Sequence, residues 1–123
     1  MKANELMIGN WVNCKGMEVE LEASDFAEDY ATGGNFFAFL EPILITEDHL
    51  DKYGFYHING EEYRIDLEDD NIFKIDLFDG WFSVFIDWVE DEKDCWKKIA
   101  YVYEIHQLQN LIFALTGKEL TVN

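Results

Sequence analysis

The chain has 123 residues, 49% of them hydrophobic and 16% aromatic; a chain of that size buries about two thirds of its unfolded surface on folding, so wholesale disorder is excluded. Its 26 acidic side chains against 9 basic ones give a formal net charge of −17. A field of that sign repels nucleic acid and anionic membranes and attracts basic proteins over about 8 Å at physiological salt.

Leu6 to Cys14 (LMIGNWVNC) reads as a strand interrupted at Gly9-Asn10, where a bulge or a close backbone approach fits. Lys15-Gly16 makes a turn. Met17 to Leu21 then alternates, with Met17, Val19 and Leu21 inward and Glu18, Glu20 and Glu22 outward. Ser24 to Asn35 (SDFAEDYATGGN) is polar, acidic and glycine-containing, and reads as a loop with at most one helical turn. Phe36 to Leu40 reads as a buried strand that Pro42 ends or passes to an edge continuation, Ile43 to Ile45. Thr46 is a helix N-cap with Glu47 and Asp48 in the first turn and Gly54 at the C-terminal cap, which predicts a short helix from Glu47 to Tyr53.

Phe55 to Ile58 and Glu61 to Leu67 flank Asn59-Gly60, the strongest local hairpin signal in the chain. Ile72 to Phe78 and Trp81 to Val89 follow through turns at Glu68 to Asn71 and Asp79-Gly80, which makes an antiparallel meander. Glu90 to Asp94 is a charged loop, and the alternation Ile99, Tyr101, Tyr103 favours a last strand over Trp96 to Tyr103. From Tyr103 to Leu120 the residues Ile105, Leu108, Leu111, Ile112 and Leu115 recur at intervals of three and four, on one side of a helix that Gly117 ends. The predicted fold class is α+β in a single domain, 1–123. A strongly bent antiparallel sheet of six to eight strands, open or half-closed as a small barrel, packs under the C-terminal helix, with one short helix near 47–53. Trp11, Phe37, Phe39, Phe73, Trp81, Phe85 and Trp88 fill its interior.

Several residue patterns bear on chemistry. Asp66, Glu68 and Asp70 open like a calcium loop, but Asn71 stands where glycine is required and Leu77 where a bidentate glutamate is required. His49, His57 and His106 sit on separate elements without a metal-binding spacing. Cys14 and Cys95 lack CxxC spacing, and both a disulfide and two core thiols in a reducing cytosol fit them. The start, MKANELMIGNWV, lacks the long apolar run of a signal peptide, and nothing reaches the length of a membrane span, so the expected location is the cytoplasm. No phosphate loop or nucleophile elbow is present, so no enzyme, cofactor or metal is expected.

Charge distribution is more informative. Between Gly16 and Glu92 there are 22 acids against three bases, Lys52, Arg64 and Lys74. Glu18, Glu20 and Glu22 repeat along their strand every 6.6 to 6.8 Å or so, about the spacing of every second phosphate on one strand of a duplex. Asp66, Glu68, Asp70 and the Glu90, Asp91, Glu92 loop extend the set, which serves either solubility or imitation of a nucleic-acid backbone. Between Ile105 and Gly117 the last helix has no charged side chain. Its Gln107, Gln109, Asn110 and Phe113 either meet a partner or pack against the protein's own loops, and Gln107, Asn110 and Phe113 join the candidate contacts.

MKANELMIGNWV at the start, PILITEDHLDKYGF in the middle and HQLQNLIFALTGKEL at the end resemble segments of a group of small phage and prophage proteins of Bacteroides-like bacteria. That group has no established activity, so no functional residue carries over. The resemblance implies an accessory role in a phage–host conflict. Joined to the charge, it implies an acidic inhibitor of the anti-CRISPR type, monomeric or a small homo-oligomer, acting in the host cytoplasm. Its partner would be a basic host protein such as a CRISPR effector nuclease, whose guide and target lie in positively charged channels; direct nucleic-acid or membrane binding is not expected. The rival expectation is a phage structural or assembly module without inhibitory activity.

Overall fold

Residues 11–20 fold as the hairpin their alternation predicts. In the computed structural model, which describes residues 1–59, 62–67, 71–78, 81–90 and 93–121, β1 (Trp11–Cys14) pairs antiparallel with β2 (Met17–Glu20), Asn13 opposite Glu18 and Trp11 opposite Glu20. The two-residue turn has positive φ at both positions, Lys15 at 51° and Gly16 at 84°, the combination that matches the twist of the flanking strands. Met17 was expected inward, yet it ends 68% exposed, because it pairs with Cys14 at the outer end of the hairpin. On the other side of β1 lies β3 (Leu40–Glu41), Glu41 opposite Asn13, giving the order β2-β1-β3.

The acidic stretch after this hairpin is a helix rather than a loop: α1 (Ala23–Ala31) covers nine residues. The Asp25 carboxylate accepts the Glu22 backbone N–H at 2.8 Å, which fixes the start. Three alanines supply helix propensity, and Phe26 and Asp29, three apart, turn toward the core. Composition read as polar concealed that spacing. Nor is 36–40 a strand: Phe37–Phe39 is a 3-10 turn before β3, which buries Phe37 completely and leaves Phe39 74% exposed. Phe26 meets Phe37 edge to face at 4.9 Å, within a core of Leu6, Val12, Leu21, Phe37 and Leu40.

Residues 43–45 form no strand, only an isolated bridge between Leu44 and Glu104, and the Ile105 N–H donates to the Ile43 carbonyl at 2.8 Å. That bridge opens α3 (Ile105–Thr116), where Ile105, Leu108 and Ile112 are at most 1% exposed. Each such burial stabilises by about 1.5–3 kcal/mol. Gly117 ends the helix at φ 72°, its N–H bonded to the Phe113 carbonyl at 2.7 Å, and Leu120 folds back into burial. Leu115, assigned to the apolar stripe, is 49% exposed instead; it lies three positions past Ile112, at the far edge of the arc.

These elements make one compact unit, Met1–Ile45 with Glu104–Leu120; the second is built on Thr46–Tyr103. There the Thr46 hydroxyl accepts the His49 N–H and starts α2 (Glu47–Lys52). Strands β4 (Tyr56–Asn59), β5 (Glu62–Leu67), β6 (Asn71–Phe78), β7 (Trp81–Glu90) and β8 (Lys93–Val102) follow in sequence order as an antiparallel meander. The predicted single bent sheet is thus two sheets. The meander stays open, with β4 and β8 as edges, and α3 belongs to the unit of the three-stranded sheet. The charged loop expected over 90–94 is shorter, because the β7–β8 register continues to Glu90 opposite Lys93.

One face of the meander is buried through Tyr63, Ile65, Phe73, Ile75, Phe82, Val84 and Val102. Burial and the carboxylates of Glu47 and Asp51 push the Tyr63 phenol above its ordinary pKa. On the opposite face a register row crosses all five strands: Tyr56, Arg64, Lys74, Phe85 and Lys98. Phe85, expected inside, is half-buried there under the Lys74 ammonium, 4.6 Å from its ring, and the Arg64 guanidinium lies 5.0 Å from the Trp96 ring. Glu62 pairs with Arg64 at 2.8 Å, and Asp76 lies 3.6 Å from Lys74. The interior role expected for Trp81 and Trp88 and the state of Cys95 lie outside the described side chains.

Candidate partner-binding surface

Strand alternation sorts the three-stranded sheet into two faces. Val12 and Leu40 point into the core, so Trp11, Asn13, Glu18, Glu20 and Glu41 share the opposite face. Beyond β2 the pairing continues, with the Leu21 N–H donating to the Asn10 carbonyl and the Leu21 carbonyl accepting the Gly9 N–H, both at 2.8 Å. Glu22 remains extended (φ −110°, ψ 167°), so Glu18, Glu20 and Glu22 form the alternating row the sequence predicts, each of them exposed. Across β1 the row gains Glu41, which the sequence reading missed. Glu18, Asn13 and Glu41 stand side by side in register, and the buried Oδ1 of Asn13 has no hydrogen-bond partner among the described residues. The result is a carboxylate face around the Trp11 indole and Asn13, whose amide oxygen lies beneath the surface. A donor-rich cation such as a guanidinium has the matching chemistry.

The remaining expected acids do not gather in the same way. Asp66 is exposed on β5 and accepts the Tyr56 hydroxyl at 3.1 Å, in the other unit. Glu90 ends β7, and Glu68, Asp70, Asp91 and Glu92 lie outside the described residues. Negative charge is nonetheless common to both units. Residues 1–45 and 104–120 hold ten acids against three bases, and 46–103 hold sixteen against six.

The amide face of α3 is used internally, the second of its two expected roles, so Gln107 and Asn110 are engaged within the fold rather than offered as contacts. Gln109, 6% exposed, aligns its side-chain amide with the β1 backbone: its Oε1 accepts the Trp11 N–H at 2.9 Å and its Nε2 donates to the Gly9 carbonyl at 3.0 Å. In this way it satisfies backbone groups as a neighbouring strand would. Asn110 Oδ1 accepts from Asn10 Nδ2 at 2.8 Å, its Nδ2 donates to the Glu5 carbonyl at 3.2 Å, and Asn10 Oδ1 accepts the Met7 N–H. Gln107 Oε1 accepts the Glu104 N–H at the helix start. Of the three helix residues proposed for contact, only Phe113 is exposed, at 37%. An amide near Gly9-Asn10 was the available clue, since the glycine marked a close approach without naming what approaches.

Among the described residues no three His, Cys, Asp or Glu side chains group as metal ligands, and no helix is long and apolar enough to cross a membrane. His49 Nδ1 lies 2.9 Å from the Thr46 hydroxyl, His57 stacks on Tyr63 with centroids 4.9 Å apart, and His106 is buried in α3. The chain matches no protein-family model, no curated protein and no solved structure.

Proposed function

We propose that this chain acts by binding rather than by catalysis, as an acidic module that occupies the nucleic-acid-handling surface of a basic protein. The observation that carries this reading is the exposed face of Glu18, Glu20, Glu22 and Glu41 around Trp11 and Asn13. Arginine and aromatic anchors dominate the energetics of such contacts, and the long-range field of −17 charges speeds encounter. The helix amides, being committed within the fold, take no part. The resemblance to phage proteins narrows the partner to a host defence enzyme, and an RNA-guided nuclease with its cationic channel is the specific candidate. Inhibition would then follow from exclusion of guide or target.

Mixing the protein with a purified RNA-guided nuclease of the host class tests this reading. A complex that weakens with salt and competes with guide or target supports it. Absence of both complex and competition at moderate salt refutes the nuclease assignment. The assembly reading draws on the free edges of the two sheets, and a salt-insensitive symmetric oligomer in sedimentation would favour it.

A further inference from the structure

Of the three histidines, all within the described residues, His106 alone is buried, at 5% exposed. Its Nδ1 is sealed from solvent and has no hydrogen-bond partner among the described residues. It stands three positions before Gln109 and four before Asn110 on α3, so it shares the helix stripe that holds Glu5, Gly9, Asn10 and Trp11. A neutral ring can sit there with a bare nitrogen. A protonated ring presents a second N–H and a charge, and both need an acceptor or water.

We propose that His106 makes the amide clamp acid-releasable: the ring takes up a proton more readily once the segment from Glu5 to Trp11 lifts from α3, so acidification opens the clamp. Burial holds its pKa below the ordinary 6.5, while the carboxylates of Glu104, at the start of α3, and Glu5, in the N-terminal 3-10 turn, pull weakly the other way. The open state titrates near 6.5 and the closed state lower, so the open state binds more protons between those two values. The opening constant is therefore flat above about pH 6.5, rises up to about tenfold per pH unit below it, and levels off under the closed-state pKa.

Hydrogen exchange read by NMR at the Trp11 amide, which donates to Gln109, tests this, with the amide of Ile75 in β6 as the reference for global unfolding. The expected result, after correction for intrinsic exchange, is a loss of Trp11 protection of up to about tenfold per pH unit below 6.5, with Ile75 remaining the better protected of the two at every pH and the loss absent in His106→Gln. An equal pH dependence in wild type and His106→Gln overturns the proposal. Should that variant not fold, the wild-type ring decides through its own NMR titration. Titration below 6.5 together with loss of Trp11 protection supports the release, and titration at or above 6.5 with Trp11 still protected refutes it.

Discussion

Replacing Gln109 tests whether α3 is held by its amides or by its apolar stripe alone. Gln109→Ala removes the acceptor of the Trp11 N–H and the donor to the Gly9 carbonyl. Each backbone group left unsatisfied costs about 1–3 kcal/mol when buried. Both bonds are partly open to water, which favours the lower half of that range, so the expected total is about 2–4 kcal/mol. Gln109→Met keeps the length and helix propensity of the side chain but offers neither strong donor nor strong acceptor, so it should cost nearly as much. Asn110→Ala, at a half-exposed position, should cost only about 1 kcal/mol. Urea unfolding provides the assay. With a slope of about 1–3 kcal/mol per molar, Gln109→Met should lower the midpoint by about 0.7–4 M without changing the slope. If it falls within about 0.5 kcal/mol of wild type, Leu108 and Ile112 hold the helix by themselves and the clamp argument fails.

Gly117→Ala should cost about 1–2 kcal/mol in thermal unfolding, because φ is 72° while an added Cβ meets nothing within 4 Å, so backbone strain is the whole effect. Asp29 is 5% exposed and its Oδ1 accepts the Phe37 N–H at 2.8 Å. Asp29→Ala should therefore cost about 1.5–3 kcal/mol and Asp29→Asn, which keeps the acceptor, clearly less; equal losses would show that α1 is not tied through this bond. The triple reversal of Glu18, Glu20 and Glu22 to lysine should leave stability within about 0.5 kcal/mol per site and abolish capture of a basic partner. Capture that survives the reversal would move the contact off this face.

Regular alternation and turn chemistry made much of the architecture legible. Lys15-Gly16, the Thr46 cap, the successive meander strands and the Gly117 cap each rest on one or two residues whose backbone preference is strong, and each appears where expected. Nonlocal competition was not legible. In α1, two inward residues among exposed acids outweigh a composition that reads as loop. At Phe36 to Phe39, a run of apolar residues suits a strand or a tight turn equally, and burial of Phe37 alone decides for the turn. The candidate surface was half readable: alternation gave Glu18, Glu20 and Glu22, but Glu41 joins them only through a pairing 28 residues from Asn13. The two readings of the helix amides could not be separated in the sequence, because an uncharged polar face looks the same whether its partner is another molecule or a strand about a hundred residues earlier in the chain.

The bridge of Leu44 to Glu104 has a consequence for biosynthesis. It brings together the two points where the polypeptide leaves and re-enters the first unit, so the meander is a loop excursion from a body whose two parts are translated before and after it. While the ribosome is still adding residues 104–120, the first hairpin waits without its helix, and the Gly9 carbonyl and Trp11 N–H stay hydrated. The excursion, contiguous in sequence, can fold during that interval. Closure of the first unit thus waits for residues 104–120, and a stall before Gln109 would release a chain with one finished lobe and one unlatched.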